Sequence, residues 1–135
     1  MYGFARLKSK DYNEMEVLAL EVRTDYELFD DYVDVFEFVQ EKLNTTLIKY
    51  SSLDKEKYEA AFSFSEDGFT IFEKYSNGII VPYIFYNDMV PVSKQRYTLA
   101  HEVKHIVLGE EDPSVKEDAK AEYFAYSWIR WKRKF

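Results

Sequence analysis

"RYTLAHEVKHIVLG", residues 96–109, carries both histidines of the chain, His101 and His105, four residues apart and with Glu102 directly after the first. The stretch reads as a helix. Leu99, Val103 and Ile106 form an apolar stripe flanked by Ala100 and Val107, at the three-and-four spacing of a core-facing helix. Pro91 and Val92 precede Ser93, a favoured N-cap, and Gly109 suits the residue beyond the C-terminus, so a helix is expected over about 94–108. The histidines lie on another face. At i and i+4 their imidazoles project side by side, and two of them can hold one ion without backbone strain.

Glu102 points about a quarter turn away from that pair. It is poorly placed as a ligand and well placed to reach a water on the ion, which is the arrangement of an H-E-x-x-H metallohydrolase. Two imidazoles need a third protein ligand and an open position. The chain has no cysteine, so the third ligand must be a carboxylate. The following segment, "GEEDPSVKEDAKAEYFAYSWIRW", offers several. Ser114 and Glu117 spell a capping box after Pro113, which predicts a helix from about residue 115 with Glu117 bonding back to the Ser114 backbone. Along it Asp118, Glu122, Ala125 and Ile129 share a face. The short connection from Gly109 to Ser114 favours an antiparallel helix pair. His105 precedes Gly109 by four residues and Asp118 follows Ser114 by four, so both stand about 6 Å from the turn. Asp118 can therefore meet the ion. Glu122, one turn further on, stands near His101, where it either accepts the second ring N–H or replaces Asp118 as ligand.

Upstream, Met15, Leu18, Ala19 and Val22 predict a helix over about 12–23, and Tyr32, Val35, Phe36, Val39 and Leu43 a second from about Tyr32 to Leu43. "TTLIKYS" reads as a short strand. The charged "SSLDKEKYE" reads as a connection, followed by two strands, "AAFSFS" and "FTIFEKY", around an "EDG" hairpin turn. After "SNG" comes a further strand, "IIVPYIFYN", in which Pro82 requires either an edge position or a start beyond it. The fold class is α+β: N-terminal helices, a small mixed or antiparallel sheet, then the histidine helix and an antiparallel ligand-bearing helix.

Length and composition agree with one domain over residues 1–135. Apolar residues make up 47% and aromatic residues 19%, with 12 Tyr and 11 Phe, enough to bury a core. The net charge of −7, with acids crowded into "DYNEMEVLALEVRTDYELFDDYVDVFEF", would repel a phosphate backbone and argues against direct nucleic-acid binding. The only basic cluster is the terminal "RWKRKF". No apolar run approaches a membrane span or a signal-peptide core, so the expected location is the cytoplasm.

"RYTLAHEVKHIVLG" with "EDAKAEYFAYSWI" resembles the ImmA/IrrE family of zincin-type metallopeptidases, whose core reads roughly R-F-T-L-A-H-E-L-G-H, then E-x-x-A-N-x-F-A. "PYIFYNDMVPVSKQ" is similar to the family's approach to its active-site helix, and the likeness spans about residues 80–129. It implies a zincin-like domain with His101 and His105 as zinc ligands, manganese being the alternative ion, and Glu102 as general base. The family's ligand glutamate falls on Asp118 and its following Asn or Asp on Glu122, an inverted order. Aspartate is one methylene shorter, so either the second helix comes closer or Glu122 binds instead. Lys104 stands where the family usually has Gly, and "SWIRW" where Leu-Met-Pro is common. The activity implied is hydrolysis of a peptide bond in a helix-turn-helix repressor, often in phages, mobile elements or stress responses. The competing reading is a non-catalytic protein-binding module, an anti-repressor that keeps the metal site for structure.

Overall fold

The computed structural model describes residues 6–131 and has an α+β architecture, with five α-helices and three strands among the described residues. The terminal basic run ends in residues 132–135, outside that range. Helix α1 spans Ser9–Asp25, longer than its apolar spacing marks, because the Asp11 carboxylate accepts the Lys8 N–H at 2.9 Å and closes a first turn. Met15, Ala19 and Val22 carry its buried face. The second helix begins later than expected. Asp34, inside the apolar run, accepts the Glu37 N–H at 3.1 Å and caps α2, Val35–Glu37, which runs on into a π-helical turn, Phe38–Lys42.

Strand β1 is Thr46–Lys49, and the segment after it departs from the sequence reading. "AAFSFS" is not a strand. Asp54 caps helix α3, Lys55–Phe64, by accepting the Lys57 N–H at 2.9 Å, and the residues that read as a charged connection are its strong helix formers. The alternation of Phe62 and Phe64 with serines imitates a period of two, but Tyr58 stacks on Phe62 at helical spacing. "EDG" therefore joins a helix to strand β2, Gly68–Lys74, rather than two strands. Gly68 is needed there for close approach: a Cβ would stand 2.7 Å from the Phe85 carbonyl and 2.9 Å from Thr98 Cγ2.

Strand β3, Ile80–Tyr86, is the central strand of a mixed sheet ordered β1-β3-β2, parallel to β1 and antiparallel to β2. Pro82 thus lies within a central strand, against expectation. The ladder to β1 begins only at Tyr83, so the missing N–H falls where β3 has β2 alone beside it. Helix α4, Val92–Val107, has Pro91 rather than Ser93 at its N-cap, with the Pro91 carbonyl accepting from Lys94 and Gln95 at 2.9 and 3.1 Å. Helix α5 is Val115–Ile129. Leu99, Ala100 and Val103 of α4 and Phe124, Ala125 and Trp128 of α5 join Met15, Phe38 and Ile84 in one core. None of the described helices is long and apolar enough to cross a membrane.

A buried cation ties the ends of this core together. Arg23, 0% exposed, donates through Nε and Nη2 to the Trp128 carbonyl at 3.1 and 2.7 Å and through Nη1 to the Leu28 and Asp30 carbonyls at 3.0 and 2.6 Å. The Trp128 carbonyl is one of those that the end of α5 leaves without a helical partner. Arg23→Met removes every one of these donors while keeping most of the volume, and should lower the unfolding free energy by about 3 kcal/mol in urea titration. A loss of a few tenths would show that water replaces the guanidinium at no cost.

Candidate metal centre

Helices α4 and α5 pack as the antiparallel pair that their short connection implies. Ala121 and Ala125 are both buried on α5. The helix pair carries a tight cluster. His101 Nε2 and His105 Nε2 stand 3.2 Å apart, and Asp118 Oδ1 lies 3.2 Å from the first and 2.9 Å from the second. Glu122 does something else: its Oε1 meets His101 Nδ1 at 2.6 Å. Of the two roles open to Glu122, its position here is that of the hydrogen-bond acceptor behind the ring. The shorter Asp118 is the carboxylate that reaches between the imidazoles.

Glu102 lies beside the cluster. Its Oε1 accepts from Thr70 Oγ1 at 2.7 Å, and its Oε2 stands 3.8 Å from His101 Nε2. His101, Glu102 and His105 offer donor atoms that all fall within 4.8 Å of one another, so they form a possible metal-binding triad. Asp118 is nevertheless the closer carboxylate to His101 Nε2, at 3.2 against 3.8 Å. Both histidines and Glu102 are buried.

The electrostatics follow from that burial. Desolvation pushes the Glu102 carboxyl up, and His101 and the Thr70 hydrogen bond only partly oppose it. For His101 burial disfavours the charged ring, yet the hydrogen bonds to Asp118 and Glu122 outweigh it and carry the imidazole up to about 10. Burial would likewise raise Asp118, but hydrogen bonds from the two imidazoles hold it well below the ordinary carboxylate range.

Lys104, between the two histidines in sequence, points away from the cluster. Its ammonium is fully buried and donates to Glu110 Oε1 at 2.7 Å and to Glu117 Oε1 at 2.6 Å. Glu117 therefore does not complete the capping box expected of it. Ser114 Oγ accepts the Glu117 N–H at 3.1 Å, but the Glu117 carboxylate is turned to Lys104. Burial opposes the charge on Glu117, and the Lys104 hydrogen bond still brings its pKa down to about 2. Two residues at the site were not foreseen in the sequence, Thr70 and Glu110. Thr70 comes from β2 and had no local signal; Glu110 had one, its place directly after the helix-ending Gly109. Of the chain's tyrosines, Tyr97 lines a small cavity shared with His101, Glu102 and Glu122.

The cluster opens on a cleft of about 920 Å³ whose wall is built from the α3–β2 connection, β2 and the α4–α5 turn. An H-E-x-x-H helix whose two imidazoles converge on one carboxylate, with a second, buried glutamate alongside, defines a metallopeptidase-like domain. Family comparison carries the assignment further: residues 40–127 match the IrrE N-terminal-like domain, a peptidase family, and the chain belongs to it. No curated protein and no solved structure gives a significant match. The matched region takes in β1, α3 and β2 as well as every residue of the cluster, and so extends well upstream of the likeness visible at residues 80–129; α1 precedes it.

Proposed function

We propose that the chain is a zincin-type metallo-endopeptidase whose ion is held by His101, His105 and Asp118, with Glu102 as general base and Glu122 orienting His101. The observation that carries this reading is the mutual spacing of the three donor atoms, 2.9 to 3.2 Å. Bonds of about 2.0–2.1 Å at tetrahedral angles place ligand atoms about 3.3 Å apart, so the donors need little movement to accept zinc. Two nitrogens and one oxygen fit zinc best, and manganese is the alternative ion. A bound zinc would supply Lewis-acid polarisation of the scissile carbonyl and acidify a water molecule.

The residues of the chain would do the rest. Glu102, desolvated and raised, takes a proton from water as the oxygen attacks the peptide carbonyl and passes it to the departing amine nitrogen. Thr70 holds that carboxylate in one rotamer. The acidic wall, with Glu66, Asp67, Glu111 and Asp112, favours a basic polypeptide over a nucleic acid. A helix-turn-helix repressor is the substrate that the family resemblance implies. Lys104 does not obstruct catalysis: it is taken up by Glu110 and Glu117 and is absent from the cleft lining.

Calorimetric titration with zinc in two buffers of different ionisation enthalpy tests the centre. About one zinc per chain should bind. Because the His101 proton is retained far above the ordinary 6.5, each ion taken up at pH 7 should expel about one proton, and affinity should rise about tenfold per pH unit around neutrality. Absence of zinc binding would remove the hydrolase reading and leave the protein-binding module.

A further inference from the structure

Helix α4 ends in a Schellman motif that does more than stop the helix. Gly109, at φ 65°, donates its N–H to the Ile106 carbonyl at 3.1 Å, and the Glu110 N–H returns to the His105 carbonyl at 2.8 Å. The backbone of Glu110 is thereby fixed against the residue whose ring its side chain also meets. Glu110 Oε1 lies 2.8 Å from His105 Nδ1. The same carboxylate takes two hydrogen bonds from the Lys104 ammonium, at 2.7 and 2.9 Å, and Lys104 is held in turn by the Glu117 carboxylate and carbonyl at 2.6 and 3.2 Å.

His105 thus sits between two carboxylates, Glu110 on Nδ1 and Asp118 on Nε2. Only one ring nitrogen of a neutral imidazole carries the proton, and a ring protonated on Nε2 cannot offer that atom to a metal. We propose that Glu110 is a positioning residue for the metal centre: it accepts the Nδ1–H of His105 and so leaves Nε2 as the donor that faces His101 and Asp118. Lys104 and Glu117 keep Glu110 in the one rotamer that does this. Glu117 is also the residue before Asp118, so the same ion cluster sets the first turn of α5, and with it the carboxylate between the histidines, in register with α4. Lys104, where the resembled family usually has Gly, becomes the fastener of the arrangement. The inference rests on His105 Nε2 being a metal ligand.

The test is zinc affinity by chelator competition for wild type, Glu110→Ala, Glu110→Gln and the remote charge control Glu21→Gln on the exposed face of α1. Glu110→Ala should weaken zinc binding about 10- to 100-fold, the range for loss of a partner behind a metal-bound histidine. Glu110→Gln, whose amide oxygen still accepts, should lose less, and Glu21→Gln should leave affinity unchanged. The chain's two histidines make long-range proton–nitrogen spectra simple to assign. In the metal-free protein the His105 proton should move from Nδ1 towards Nε2 in Glu110→Ala. If that variant misfolds because the buried Lys104 keeps only Glu117 as a partner, Glu110→Ala combined with Lys104→Met removes the under-compensated cation and decides the matter. Wild-type affinity and an unmoved proton in the folded variant would overturn the role of Glu110 alone. A wild type that takes up no zinc would overturn the metal centre with it.

Discussion

Glu102→Gln should retain its zinc and lose about a thousandfold in turnover of a protein substrate, the scale expected when a positioned general base is removed. The substitution is nearly isosteric, and the glutamine oxygen can still accept from the Thr70 hydroxyl, which lies 2.7 Å from Glu102 Oε1. What disappears is the ability to take a proton. Elemental analysis beside the kinetic assay separates the possible results. Full zinc content with turnover retained would show that another group moves the proton. Loss of zinc together with activity would mean that Glu102 is a ligand, as its grouping with His101 and His105 within 4.8 Å would permit.

Asp118→Ala should cost roughly a thousandfold in zinc affinity, since the proposed centre loses one of its three protein ligands, whereas Glu122→Ala should cost only about 10- to 100-fold. The difference follows from where each carboxylate stands. Asp118 Oδ1 faces the Nε2 atoms of both histidines at 3.2 and 2.9 Å, while Glu122 Oε1 meets Nδ1 of His101 from behind at 2.6 Å. Glu122 is also the more exposed of the two, so water can partly replace it. Chelator competition on the two variants reads the contrast directly. A larger loss in Glu122→Ala would reverse the assignment and make Asp118 the supporting acid.

Much of this site was legible in the chain because it depends on short-range regularities. The spacing of His101 and His105, the helix that carries them and the hairpin that returns Asp118 and Glu122 to their level follow from helical pitch and a short turn. Even Glu110 left a trace, since a residue after a helix-ending glycine folds back onto the last turn. Other elements misled. Residues 60–65 alternate like a strand, yet a helix capped by Asp54 runs as far as Phe64, and the cap with its helix formers outweighs a short apolar alternation. Pro82 argued for an edge strand by a sound rule, but the rule concerns a hydrogen bond that β1 never asks of it.

The sequence by itself determined that one helix presents two imidazoles and an adjacent glutamate, and that a second helix must bring acids back to them, because both are consequences of local backbone geometry. Which acid stands between the rings, which stands behind, and how Lys104, Glu110 and Glu117 lock the arrangement were decided only in the tertiary structure. Those choices turn on how closely α4 and α5 approach, to within the length of a methylene, and that distance is set by packing between residues far apart in the chain.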